Sequence, residues 1–265
     1  MSRNFYLTVL AGADMKSDDT VLAVCAGTND KLSLQAIGIK HAIISNVDYH
    51  DGVAEYAPYE WQSQDAENIS AEDLSFDWCV VHAGLHHCGS PHRALCEMLR
   101  VARKGVVVVE ARDSFLIRTA VMFGLTSQYE LEAAALTNGL SGGYRNGNIP
   151  NYIYRWTERE IEKTFRSFLP THEPHVKYFY QYLIPLEGLT MSKSGLKRVF
   201  AKIVSKFVFL FEALLPKQGN RFGFVIIKDG KLNPWLKDSE GHITTDMDYL
   251  KKFYSPEKYV RGNSK

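Results

Sequence analysis

The 265-residue chain contains no uncharged apolar run of about 18 residues, so no membrane-spanning helix is expected. Its first residues, MSRNFYLTVLAGAD, lack both a long apolar region and a small-residue cleavage site, and no secretory leader is read there. Neither sign of charge is in excess: 31 basic residues face 30 acidic ones. That balance removes the bulk electrostatic argument for a nucleic-acid partner. Cysteine is scarce, at Cys25, Cys79, Cys88 and Cys96, and no two form a CxxC pair. The first two fall in expected core strands, so a reduced, cytoplasmic setting fits better than a disulfide scaffold. The GxGxxG fingerprint of dinucleotide-binding loops is also missing, which argues against a nicotinamide-dependent enzyme.

What is present is concentrated between Asp65 and Glu110. Ser70 to Asp73 is a helix-capping signal. Phe76 to Val81 then reads as a buried strand that ends in His82-Ala83-Gly84. Ser90-Pro91 supplies an N-cap followed by proline at the first helical position. Leu95, Met98, Leu99 and Ala102 recur at helical spacing, and Lys104-Gly105 is expected to close that helix. Val106 to Val109, short and β-branched, is a second buried strand. Strand, crossover helix and strand make one βαβ unit of a parallel sheet. Upstream, a helix is expected over 4–13, strands over 20–24 and 41–45, a tight loop over 25–30, and a helix ending at Gly38. A short third strand is expected around 61–64. Parallel sheets bind ligands at the carboxyl ends of their strands, where the loops beginning at Cys25, Asn46, Asp65 and His82 would lie.

The order DAE, then FD before an apolar strand, then LHH, LCEMLRVARKG and VVVVE, resembles the class I S-adenosylmethionine-dependent methyltransferases. The likeness is to the small-molecule branch that includes quinone and sterol methylases, and it runs from Asp19 to Ala111. It implies an α/β, Rossmann-like three-layer sandwich with a seven-stranded, mostly parallel sheet whose last strand is antiparallel. It implies S-adenosyl-L-methionine as cofactor, with Cys25, Ala26, Gly27 and Thr28 holding the methionine end and Asp48 the ribose. Asp65 would take the adenine amino group, with Ala66 beside the ring. The loop departs from the family pattern: Ala23 stands where the acid would be, Cys25 at the first glycine and Asn29 at the last, leaving only Gly27. A tight core turn without a ligand is the plain alternative. Asn46 or Asp51 could replace Asp48, and Asp65 could simply start a helix.

His82, His86 and His87 follow the fourth strand, and imidazole titrates near neutrality, so each could serve as a general base. His82, directly after the strand, is expected to face the cleft, touch the cofactor and act as base, with His87 second. The resemblance equally allows LHH a structural role in the loop. A zinc set of Cys79, His82, His86, His87 and Cys88 is disfavoured because Cys79 belongs to a buried strand and no second ligand pair follows. No metal is expected.

Beyond Ala111 the resemblance fades. Residues 112–148 read as an insertion with an apolar helix over 115–124 and a glycine- and asparagine-rich stretch from Asn138, either a closing loop or a surface connection. Tyr152, Tyr154 and Arg155 are candidate substrate contacts. Thr157 and Glu160 form a capping box for a helix to Phe168. Strands are expected over 175–184 and 220–228, separated by a second insertion at 187–219. Within it, 196–215 is a basic amphipathic helix suited to packing on its own domain, lying on a membrane surface or dimerising. The polar tail 231–265 offers Trp235 and Tyr249 as docking points. The reading is a single methyltransferase domain acting on a small molecule, with a sugar or glycan hydroxyl ahead of a phenol or lipid. Its alternatives are a non-catalytic interaction protein and a peripheral-membrane lipid or quinone methyltransferase. Oligomeric state is left open.

Overall fold

The computed structural model describes residues 2–47, 53–131, 143–183 and 209–254, together with positions 135, 138, 140, 195, 199 and 203. Asp48, Asp51 and most of the 196–215 stretch lie outside the described residues.

The chain opens with helix α1 (Ser2–Ala11), strand β1 (Thr20–Ala23), helix α2 (Thr28–Ala36), and strands β2 (His41–Asn46) and β3 (Glu60–Ser63). The βαβ unit follows as β4 (Phe76–His82), α3 (Pro91–Val101) and β5 (Ala102–Arg112). Next come α4 (Phe115–Met122), the two-residue β6 (Arg155–Trp156), α5 (Glu158–Phe168), β7 (His175–Gln181) and β8 (Arg221–Ile227). A separate hairpin, β9 (Leu236–Ser239) with β10 (His242–Thr245), and the short α6 (Met247–Lys251) complete the described elements.

The main sheet runs β3-β2-β1-β4-β5-β8-β7, with β6 also pairing β5. All its pairs are parallel except those of β8, which is antiparallel to both β5 and β7. The expected sandwich with its antiparallel last strand is therefore present, with β6 as an eighth strand.

Strand alternation builds the layers. Cys79 and Val81 of β4, with Val106 and Val108 of β5, pack against Leu95, Met98 and Leu99 of α3 and Ile161 and Phe165 of α5. Trp78 and Val80, with Val107 and Val109, face Tyr6, Val9 and Leu10 of α1 and Leu34 of α2. Each such fully buried aliphatic side chain contributes about 1.5–3 kcal/mol relative to exposure.

Ser90 caps α3 by accepting from the Arg93 amide at 3.3 Å, and Thr157 with Glu160 forms the reciprocal box of α5. Two local expectations are corrected. Ser70 caps no helix; its amide and hydroxyl both donate to Gln64 Oε1, at 3.0 and 2.9 Å, and fix a turn instead. Lys104-Gly105 does not end α3, because β5 already begins at Ala102. Glycine is required at 105 by space: a Cβ there would lie 2.1 Å from the Ile226 carbonyl oxygen and 2.8 Å from the Trp78 ring.

Candidate functional site

The parallel register places the ends of β1, β2 and β4 side by side. After β1, the chain turns through Cys25 at φ 50°, a left-handed conformation that a glycine would adopt without strain. The turn is held from both sides: Val24 donates to the Val80 carbonyl at 3.0 Å, and Ala26 to that of Ser45 at 2.8 Å. Gly27 begins α2, its amide donating to Asp30 Oδ2 at 3.0 Å. Burial behind this turn pushes the Asp30 carboxyl up to about 6. After β4, Ala83 (φ 54°) leads into Gly84, where a Cβ would sit 2.4 Å from the Cys25 Cβ. The two loops therefore touch, and Gly84 makes the approach sterically allowed.

Beside this contact lies a cleft of about 460 Å³ lined by Cys25, Asn46, Ser63, Asp65, Ala66, Gly84, His87 and Arg145, among others. Of the expected cofactor residues, Cys25, Asp65 and Ala66 reach it. Gly27 and Thr28 do not line it, the Thr28 hydroxyl donating instead to Glu55 at 2.6 Å. Ala26 is buried beneath the turn. Asp65 accepts the Glu67 amide at 2.9 Å and lies 3.6 Å from the Arg145 guanidinium. Glu67, which sequence reasoning passed over, accepts the amides of Gly89 and Ser90 at 2.8 Å each and fixes the start of α3 against the cleft. Arg145 belongs to the glycine-rich segment and closes one wall. The Cys25 thiol sits against Cys88, which together with burial pushes its pKa well up.

The expectation that His82 faces the cleft is corrected. Its ring stacks on Tyr6 at 4.6 Å and its Nε2 accepts from Arg221 at 3.1 Å, on the α1 side of the sheet. Burial, and then the neighbouring guanidinium, lower its pKa to about 4. Cys79 is fully buried in β4, so the five-residue zinc set is not assembled.

The other two imidazoles form a different constellation. Glu110, buried at the end of β5, accepts the Leu85 amide at 2.7 Å and pairs with His86 Nδ1 at 2.7 Å. Glu130 approaches from the segment before the glycine-rich stretch, its Oε2 3.4 Å from His86 Nε2 and 3.5 Å from His87 Nε2. Burial works against the charged form of His86, but Glu110 first and then Glu130 raise it to about 10. His87 Nδ1 lies 3.2 Å from the Gly143 carbonyl, which sets its outward nitrogen toward Glu130. A charged residue inside the VVVVE run was the sequence signal for Glu110; nothing marked Glu130.

A second hollow of about 500 Å³ is lined by Asp113, Arg118, Gln128, Tyr152, Tyr154, Arg155 and Glu160, among others. The segment 128–130 joins the two regions, carrying Gln128 to this hollow and Glu130 to the imidazoles.

Residues 24–109 match the family model of the methyltransferase domain. Over that stretch, about a third of its length, the chain carries a methyltransferase domain. It is an S-adenosylmethionine-dependent enzyme fold, and that molecule is the domain's cofactor. Among solved structures, the chain is similar to the protein solved with the Trm112 methyltransferase activator of Haloferax volcanii (14% identity over 85% of this chain and 89% of that one, TM-score 0.53). It is also similar to a Bacillus halodurans protein assigned as a methyltransferase (16% over 84% and 97%, TM-score 0.51). A third likeness is to the (4+2)-cyclase SpnF (15% over 86% and 82%, TM-score 0.51). At these identities the likeness establishes the methyltransferase fold, which evidently hosts more than one reaction. No curated protein matches the chain.

Proposed function

We propose that the 460 Å³ cleft holds S-adenosylmethionine and that the methyltransferase domain passes its methyl group to a hydroxyl of a small, polar acceptor, a sugar or glycan. The observation that carries the first half is the contact of the Cys25 and Gly84 loops beside Asp65 and Ala66. Small side chains on one wall expose backbone for close approach, and the carboxylate on the other suits the nucleoside. Asn46 and Ser63 add polar groups along the same edge. Bound there, the sulfonium supplies an already electrophilic methyl group. The protein's residues then have to align the acceptor and exclude water.

His87, with Glu130 beside it, is the imidazole that borders the cleft on the acceptor's side; His82 is turned away. The second hollow, with its tyrosines, carboxylates and arginines, favours a polyhydroxylated acceptor over a lipid or phenol. A single domain spanning the chain and a cytoplasmic setting, with all four cysteines as free thiols, belong to the same proposal. Among the described residues, no helix is long and apolar enough to cross a membrane. Titration calorimetry with S-adenosylhomocysteine tests the cleft. Binding that weakens in Asp65→Ala is expected; a folded wild-type protein that gives no heat leaves only a non-catalytic role.

A further inference from the structure

We propose that His86 Nε2, His87 Nε2 and Glu130 Oε2 hold one divalent cation of the zinc class at the acceptor side of the cleft. These atoms all lie within 4.8 Å of one another. The two nitrogen-to-oxygen separations, 3.4 and 3.5 Å, exceed a well-formed hydrogen bond. They match the edge of a tetrahedron whose corners stand ~2.0–2.1 Å from a central zinc ion, which is about 3.4 Å. Magnesium, at the same ~2.0–2.1 Å but strictly octahedral, would bring neighbouring ligand atoms to about 3.0 Å. Among the described residues, Glu130 Oε2 is buried and has no hydrogen-bond partner.

The supporting contacts are those that metal-binding imidazoles use. Each ring directs its Nδ1 to a fixed acceptor, His86 to the Glu110 carboxylate and His87 to the Gly143 carbonyl. That arrangement orients the ring and leaves Nε2 for the ion. Glu110 is itself anchored by the Leu85 amide, so the orientation of His86 is tied to the end of β5. Two imidazoles and one carboxylate are also the donor set of catalytic zinc sites, whose fourth ligand is water or substrate.

The role at the acceptor rests on the methyl-transfer reading; the binding of the cation does not. With His87 engaged as a ligand, the site acts on the acceptor by lowering the pKa of its hydroxyl rather than by taking the proton on imidazole. The coordinated oxygen releases its proton to water and forms the new bond to the methyl carbon. The carbon–sulfur bond breaks, and its electron pair leaves a neutral thioether.

The test is made on the full chain, stripped with chelator and titrated with Zn²⁺ against a chromophoric competitor, then reconstituted with Co²⁺ for visible spectroscopy. Uptake of one equivalent, weakened by at least the ~10–100-fold typical of losing an outer-shell partner in both His87→Gln and Glu130→Gln, with folding checked by circular dichroism, is expected. The cobalt form should show tetrahedral bands without sulfur charge transfer. Affinity unchanged in both variants overturns the proposal, as does a thiolate band, which would place the ion on Cys25 and Cys88. No stoichiometric uptake overturns it too and leaves the triad as a protonated His86 between two glutamates. Calorimetry with S-adenosylhomocysteine on the metal-free wild type reports on the cofactor cleft separately.

Discussion

Cys25 carries the main conformational constraint of the site. At φ 50° with a side chain, it holds a conformation that disfavours β-branched residues most. Cys25→Val should therefore lose S-adenosylhomocysteine affinity at least tenfold, whereas Cys25→Gly should retain it; calorimetry on both reads the outcome. Asp65→Ala removes one charged acceptor and should weaken the same binding about tenfold to a hundredfold, in line with ~1.5–3 kcal/mol for a hydrogen bond to a charged group. The sequence revealed the positions of these residues because the strand ends could be read and the loops had to follow. It did not reveal the direction of His82. Parity along β4 decides that: Trp78, Val80 and His82 share the α1 face, while Cys79 and Val81 face α3. Taking the strand end as pointing simply into the cleft ignored this alternation.

At the scale of elements, β5 shows why a glycine can mislead. After an amphipathic helix, Lys-Gly suggests a C-terminal cap. Here Gly105 lies under the Ile226 carbonyl, three residues into a strand. Gly105→Ala should force β5 and β8 apart and lower stability by about 1–3 kcal/mol or more, measured by urea denaturation. The apolar strands and capped helices α3 and α5 were legible because their periodicity and caps are local. The hairpin β9–β10 was not. Its strands are largely exposed and polar, so no alternation marks them, and its turn is Glu240-Gly241, both at positive φ. Of Trp235 and Tyr249, expected to dock the tail, Trp235 is 42% exposed, and Tyr249 is half-buried with its ring tilted against Phe253 at 5.2 Å. The tail is tied down earlier, where Asn233 donates to the Pro170 carbonyl and Leu232 bridges His172.

Across the whole molecule, the ligand edge of the sheet and the edge opposite it have different chemistry. At the opposite edge, Asp77 accepts from the Thr20 amide and hydroxyl at 3.0 and 3.1 Å and pairs with Arg103 and Lys104. Burial alone would raise the Asp77 carboxyl, but the Thr20 amide and the two cations outweigh it and hold it well below the usual range. Its folded pKa is thus depressed, so the stability it contributes is present above the unfolded value of about 3.9 and lost as pH falls below it. Asp77→Ala should cost about 1–3 kcal/mol near neutrality, and the gap to wild type should begin to narrow below about pH 4 and close only as the pH reaches the depressed folded value; thermal melts across that range measure it.

The loops at Cys25 and Gly84 come from strands far apart in sequence and meet only when β1 and β4 are paired. A ligand held, as proposed, in the cleft beside that contact has nothing to hold in the unfolded chain. Saturating the protein at a hundredfold excess over the dissociation constant should then add about 2.7 kcal/mol to its resistance to unfolding. Supply of the small molecule in the cell would set how long the polypeptide survives.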